Sequence, residues 1–85
     1  MKIRILYLAG LRDALGCAEE ALTLPGAEAT VAGLLAALRA RGGEWASTLG
    51  PDRVFRVAVE HTLACPGTPL TDGVEVALFP PVTGG

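Results

Sequence analysis

Thr30-Val31-Ala32-Gly33-Leu34-Leu35-Ala36-Ala37-Leu38-Arg39-Ala40-Arg41 is the stretch that decides the fold. Thr30 can offer its hydroxyl to the free N–H groups of a first helical turn. Val31, Leu34, Leu35 and Leu38 recur at i, i+3, i+4 and i+7, which places them on one side of a helix. Arg39 and Arg41 suit the negative end of its dipole, and Gly42-Gly43 stops it, with a left-handed cap expected there. Gly33 costs up to about 1 kcal/mol of helix propensity relative to Ala, and close packing on a sheet is one reason to tolerate it. A helix with a single apolar side must lie on an apolar layer.

Strand patterns on either side supply that layer. Along 2–9, Ile3, Ile5 and Tyr7 alternate with Lys2, Arg4, Leu6 and Leu8, so one side is core and the other turns apolar late. Residues 10–16 read as a loop with a short turn around 11–15. Residues 19–24 are a second strand, ended by Pro25-Gly26. Residues 44–53 carry the only Trp and a Gly50-Pro51-Asp52 turn. Along 54–60, Phe55, Val57 and Val59 alternate with Arg56, Ala58 and Glu60, and 61–63 either continues this strand or starts a short return. Residues 65–73 are rich in turn formers. Val74, Val76 and Leu78 then alternate with Glu75, Ala77 and Phe79, and two prolines end the run. The order is β-β-α-β-(β)-β. One helix covers one face of a mixed sheet of four or five strands, an α+β arrangement. The opening pair is antiparallel by its short connection, which leaves the last strand beside the first, parallel, at the centre. That is the ubiquitin-like, or β-grasp, architecture. It spans 1–79 and leaves 80–85 as an extended flexible tail.

Composition narrows the function. Eighty-five residues make one domain, and 51% hydrophobic with 19% charged residues is too apolar for disorder. No room remains for a second catalytic lobe. A net charge of −2, with seven Lys and Arg scattered from Lys2 to Arg56, lacks the concentrated basic footprint that nucleic acid requires. Cys17 and Cys65 are too few for a disulfide framework or a zinc knuckle and are expected as reduced, partly buried thiols. Arg12 and Asp13 interrupt the apolar start of the chain, and no run reaches 18 apolar residues, so a cytoplasmic chain without a membrane partner is expected. His61 is the lone His, expected as an ordinary strand residue, and no metal site is expected. Ser47 lacks a G-x-S-x-G setting, Asp13 and Glu19-Glu20 read as solvated surface, and no glycine run forms a phosphate loop. The chain by itself has no catalytic constellation.

Its end is different. Pro80-Pro81-Val82-Thr83-Gly84-Gly85 follows the last strand. The prolines stiffen an extended exit and forbid further strand pairing. Six residues at about 3.3 Å each reach roughly 20 Å. Glycines without Cβ can thread a channel too narrow for other residues. The terminal carboxylate is ionised at neutral pH, with a reference pKa of about 3.3–3.7, and reacts only after activation. Adenylation by ATP followed by sulfide attack gives a thiocarboxylate; attack by an amine gives an amide. Both need delivery into another protein's active site.

Leu70-Thr71-Asp72-Gly73-Val74-Glu75-Val76-Ala77-Leu78-Phe79-Pro80-Pro81-Val82-Thr83-Gly84-Gly85 closely resembles the C-terminus of the small subunit of molybdopterin synthase, the MoaD type within the ThiS/MoaD family of ubiquitin-like sulfur carriers. The opening strand, Leu11-Arg12-Asp13 and Gly16 resemble that family's start, and Val59-Glu60-His61-Thr62-Leu63 its third-strand region, where the family often carries Asn near position 60. The likeness runs along essentially the whole chain. It implies a non-catalytic carrier subunit with no bound cofactor. Gly85 would be adenylated by an E1-like, MoeB-type enzyme using ATP and converted to a C-terminal 1-thioglycine. The carrier would then insert its tail into a MoaE-type large subunit and give sulfur to cyclic pyranopterin monophosphate, two carriers joining a large-subunit dimer in a heterotetramer. Pro80, Pro81, Val82, Thr83 and Gly84 would contact the partner as the tail inserts behind Gly85. If the first and last strands are neighbours, Leu6, Leu8 and Phe79 form an exposed apolar patch for that partner. Arg12 near the tail base is expected as a solvated side chain. Related roles are a thiamine-type carrier, a carrier for tRNA thiolation and a ubiquitin-like modifier of lysines; a passive interaction domain is the bland alternative.

Overall fold

A computed structural model of the chain describes residues 1–25 and 29–81. In chain order the elements are β1 (Lys2–Tyr7), α1 (Ala9–Leu15), β2 (Glu19–Thr23), β3 (Ala29–Thr30), α2 (Val31–Arg39), α3 (Gly43–Thr48), β4 (Arg56–Val59), β5 (Thr62–Leu63), β6 (Pro69–Leu70) and β7 (Glu75–Phe79). Five strands form one sheet in the order β2-β1-β7-β4-β5. β1 and β7 run parallel at its centre, with Ile5 beside Val76 and Tyr7 beside Leu78, and the remaining neighbours are antiparallel. The first and last strands are therefore partners, as the apolar alternation of both requires.

Ile3, Ile5, Tyr7, Val57, Val76 and Leu78 face inward from the sheet, and Val31, Leu34, Leu35 and Leu38 meet them from α2. Burying a side chain of this size is worth about 1.5–3 kcal/mol, which is why the alternation on both central strands is strict. Among the described residues no polar or charged residue is buried. The fold is the β-grasp architecture expected from the sequence.

Several local expectations need correction. Residues 9–15 are a helix, α1, where a loop was expected. Only Leu11 on it is buried, no side chain caps its start, and seven residues leave little periodicity to read. It ends on Gly16 at φ 65, whose N–H donates to the Arg12 carbonyl at 2.9 Å, a left-handed cap that favours glycine. α3 occupies part of the segment expected to hold only a turn. On α2, the Thr30 hydroxyl accepts from the Gly33 N–H at 3.2 Å as the sequence suggests. The left-handed cap does not sit at the helix end: Ala40 is right-handed, and Gly42 at φ 76 instead turns the chain into α3. Gly33 does not pack on the sheet either. It is exposed, and a Cβ there would meet only the Thr30 hydroxyl, at 3.7 Å. Within the turn-rich segment, β6 pairs with β3, a two-residue ladder that no periodicity can announce.

Glu20 is not the solvated carboxylate expected. It accepts from the Tyr7 hydroxyl at 2.8 Å and from two guanidinium nitrogens of Arg41 at 2.9 and 2.7 Å. Arg41 lies over the Trp45 ring, 4.4 Å from its centroid, and Trp45 meets Tyr7 edge-on at 5.4 Å. This closed ring of four side chains ties β1 and β2 to the end of α2 and to α3. The bond from Arg41 holds the Glu20 carboxyl below its usual value of 4.5, with the Tyr7 bond adding to it, and burial holds the Tyr7 hydroxyl above its usual value. A carboxyl that is more acidic when folded stabilises the fold at every pH above its unfolded value and loses that contribution as pH falls through the folded one. Urea midpoints are therefore expected to decline below about pH 4.5, and Glu20→Gln is expected to flatten that decline while lowering the midpoint at pH 7. An unchanged acid slope in the variant would show that Glu20 does not carry it.

Candidate functional site

The face of the sheet opposite α2 carries Glu75, Ala77 and Phe79, because Val76 and Leu78 take the inward positions of β7. Register then decides what surrounds them. Ala77 lies between Leu6 of β1 and Ala58 of β4, and Leu63 lies beside Ala58. An apolar row Leu6–Ala77–Ala58–Leu63 thus crosses four strands. Leu8, whose N–H donates to the Leu78 carbonyl at 3.0 Å, continues β1 past this row next to Phe79. Leu8 is 43% exposed and Leu63 67%; Leu6, Ala58, Ala77 and Phe79 are half-buried. These six side chains make a continuous, partly exposed apolar strip on the helix-free face.

The patch adjoins the exit of the chain. Pro80 and Pro81 follow Phe79 directly and are half-buried. Neither can donate a ladder hydrogen bond, so sheet pairing stops at Phe79. Val82, Thr83, Gly84 and Gly85 lie outside the described residues.

Leu63 is the residue of this face that sequence reasoning missed. Its exposure depends on whether 61–63 continues β4 or returns along it. The chain reverses: Val59 pairs with Thr62, and between them Glu60 and His61 sit at φ 49 and 69. Positive φ at both central positions is the type I′ hairpin, which normally announces itself as Asn-Gly. Glu-His gives no such announcement, and left-handed φ costs about 1–2 kcal/mol per L-residue. The reversal is braced from β7, where the Glu75 N–H donates to the Glu60 carboxylate at 3.0 Å and the Glu60 N–H to the Glu75 carbonyl at 3.0 Å. His61 is accordingly an exposed turn residue and not the strand residue expected. Cys65 is exposed, also against expectation, and Cys17 is half-buried. Arg12 is exposed on α1.

Among the described residues no group of three or more His, Cys, Asp or Glu is placed to hold a metal, and no helix is long and apolar enough to cross a membrane. What the arrangement offers is a flat apolar face, with a proline-stiffened exit at its edge.

Known proteins share this plan. Residues 5–85 match the ThiS family. The molybdopterin synthase sulfur carrier subunit of Escherichia coli (strain K12) is 40% identical over 85 residues, covering 98% of this chain and 99% of that protein. The crystal structure of small archaeal modifier protein 1 of Haloferax volcanii superposes with a TM-score of 0.77 at 27% identity, covering 95% of this chain and 98% of that one. A chain from the complex of subunits 1 and 2 of the molybdopterin-converting factor of Helicobacter pylori 26695 superposes with a TM-score of 0.70 at 23% identity over the whole of both chains, a likeness of fold. With its sheet order, its helix-free apolar face and a family match that reaches the last residue, the chain belongs to the ThiS family and, within it, to the MoaD type.

Proposed function

We propose that the chain carries sulfur for molybdopterin synthesis, as the small subunit of a molybdopterin synthase. One observation supports the reading beyond family likeness: Leu8 and Phe79 lie at the point where Pro80 leaves the sheet, so docking of the apolar face sets Pro80 and Pro81 beside whatever is docked.

The chemistry belongs to Gly85. A carboxylate oxygen attacks the α-phosphorus of ATP on a MoeB-type, E1-like enzyme, and pyrophosphate leaves. A sulfide nucleophile adds to the acyl carbon of the adenylate, and AMP leaves. The resulting thiocarboxylate enters the active site of a MoaE-type large subunit, where its sulfur displaces an oxygen substituent from a carbon of cyclic pyranopterin monophosphate; water then cleaves the bond between that sulfur and the Gly85 acyl carbon, and Gly85 is again a carboxylate. This chain's own residues bind, orient and present; they move no proton in the reaction. In this reading two carriers join a dimer of large subunits in a heterotetramer, and the need for ATP in the first step supports a cytoplasmic location. The likeness to a small archaeal modifier protein supports a second reading, in which the activated carboxyl is passed to lysine amines of other proteins.

Intact mass separates the two. Incubated with the activating enzyme, ATP and a sulfide source, the chain is expected to exchange one oxygen for sulfur at Gly85. Addition of the large subunit and the pyranopterin is expected to reverse that exchange and yield the dithiolene. A chain that never gains sulfur sinks the carrier reading. A ladder of isopeptide conjugates without sulfur transfer favours the modifier.

A further inference from the structure

Charge on the docking face is unevenly matched. Arg4 is neutralised by Glu19 at 2.8 Å. Glu60 and Glu75 gather with His61 at the end of the face remote from the chain exit, the His61 ring nitrogen 4.0 Å from the Glu75 carboxylate. Arg56 is different. It is exposed, it opens β4, and it stands directly opposite Phe79, so both side chains emerge on the helix-free face. Its other neighbours there are Ala58, two residues along, and Leu8, across Phe79. Among the described residues no ion pair involves it. Within a chain of net charge −2, Arg56 is thus a cation with no ion pair among the described residues, beside the point where Pro80 leaves the sheet.

Apolar contact is non-directional, and a nearly flat row of Leu, Ala and Phe can seat in more than one rotation. A tail that must enter a narrow channel tolerates only one. We propose that Arg56 is a specificity-determining residue of the docking face, its guanidinium taking a carboxylate on the large synthase subunit and so fixing the rotation in which the chain exit meets the channel. The inference rests on the synthase reading above. A planar guanidinium that takes a carboxylate with two parallel hydrogen bonds supplies the direction that the apolar row lacks, and an ammonium does not reproduce that geometry. Arginine at the edge of an aromatic anchor is also the residue type that concentrates binding energy at interfaces.

Calorimetric titration of the intact chain into the large subunit tests this. R56E is expected to weaken binding by about 100-fold or more and R56Q by about 10-fold, with R56K recovering part of the R56Q loss. Wild-type affinity is expected to fall more steeply than that of R56Q between about 50 and about 300 mM salt, because only the former has the charge pair to screen. R53Q, which removes an exposed cation lying outside β4, is expected to bind within about twofold of wild type. Wild-type binding with R56E inside twofold overturns the proposal alone. An equal loss in R53Q also overturns it, since a diffuse field and no specific pair would then be at work. A wild-type chain that does not bind overturns both the proposal and the synthase reading.

Discussion

A chain lacking Gly85 is expected to lose sulfur transfer by at least about 100-fold while melting at the same temperature as the full chain. The two halves of this result have separate causes. Deleting one extended residue draws the reacting carbon back by about 3.3–3.6 Å. A misplacement of only about 1 Å can cost about 100-fold where a reaction depends on holding atoms in line. Among the described residues the last strand ends at Phe79, and the sheet's cohesion lies in Ile5, Tyr7, Val76 and Leu78, so the melt is expected to be unchanged. Gly85→Ala keeps the length and adds one methyl, so comparison of the two variants separates reach from width. Single-turnover transfer to the pyranopterin with the large subunit present, set beside a thermal melt, gives both readings. Transfer by the shortened chain within a few fold of wild type would remove the terminal carboxyl from the chemistry.

Leu78→Ala is expected to do the reverse, costing about 2–5 kcal/mol of stability and leaving the reactive end chemically intact. Leu78 is fully buried on the central strand, between Tyr7 of β1 and Val57 of β4, and its carbonyl anchors Leu8. The surrounding residues belong to strands on both sides and to α2, so the hole cannot close by moving one side chain. In a domain of this size each kcal/mol shifts the melting temperature by about 4–8 °C, so a drop of more than about 10 °C is expected. Sulfur loading measured well below the new midpoint should match wild type. A fall of less than about 3 °C would mean that the site relaxes and that the core is looser than its burial implies.

How much could be read beforehand follows from how local each signal is. The stripe on α2 lies within eight residues and was legible. So was the placement of β7 beside β1, because the short connection makes the opening pair antiparallel and leaves the other edge of β1 to the last strand. α1 was not legible, with Leu11 its only buried residue and no side chain capping its start. β3 and β6 are two residues each, and only their encounter makes them strands. The ring of Tyr7, Glu20, Arg41 and Trp45 joins positions up to 38 apart in sequence, and each of the four has an ordinary local reading. On the helix-free face, the positions of Leu6, Leu8 and Phe79 followed from alternation plus strand order. Leu63 and Arg56 required the hairpin reversal and the register, neither of which Glu60-His61 or Arg56 reveals.

The central position of β7 has a mechanical corollary. Any pull on the end of the chain, as when it is drawn out of a tight channel, runs straight along this strand. Hydrogen-bonded ladders on both flanks, one parallel and one antiparallel, then share the load in shear and must yield together, where an edge strand would unzip rung by rung. The domain is built to be tugged by its working end.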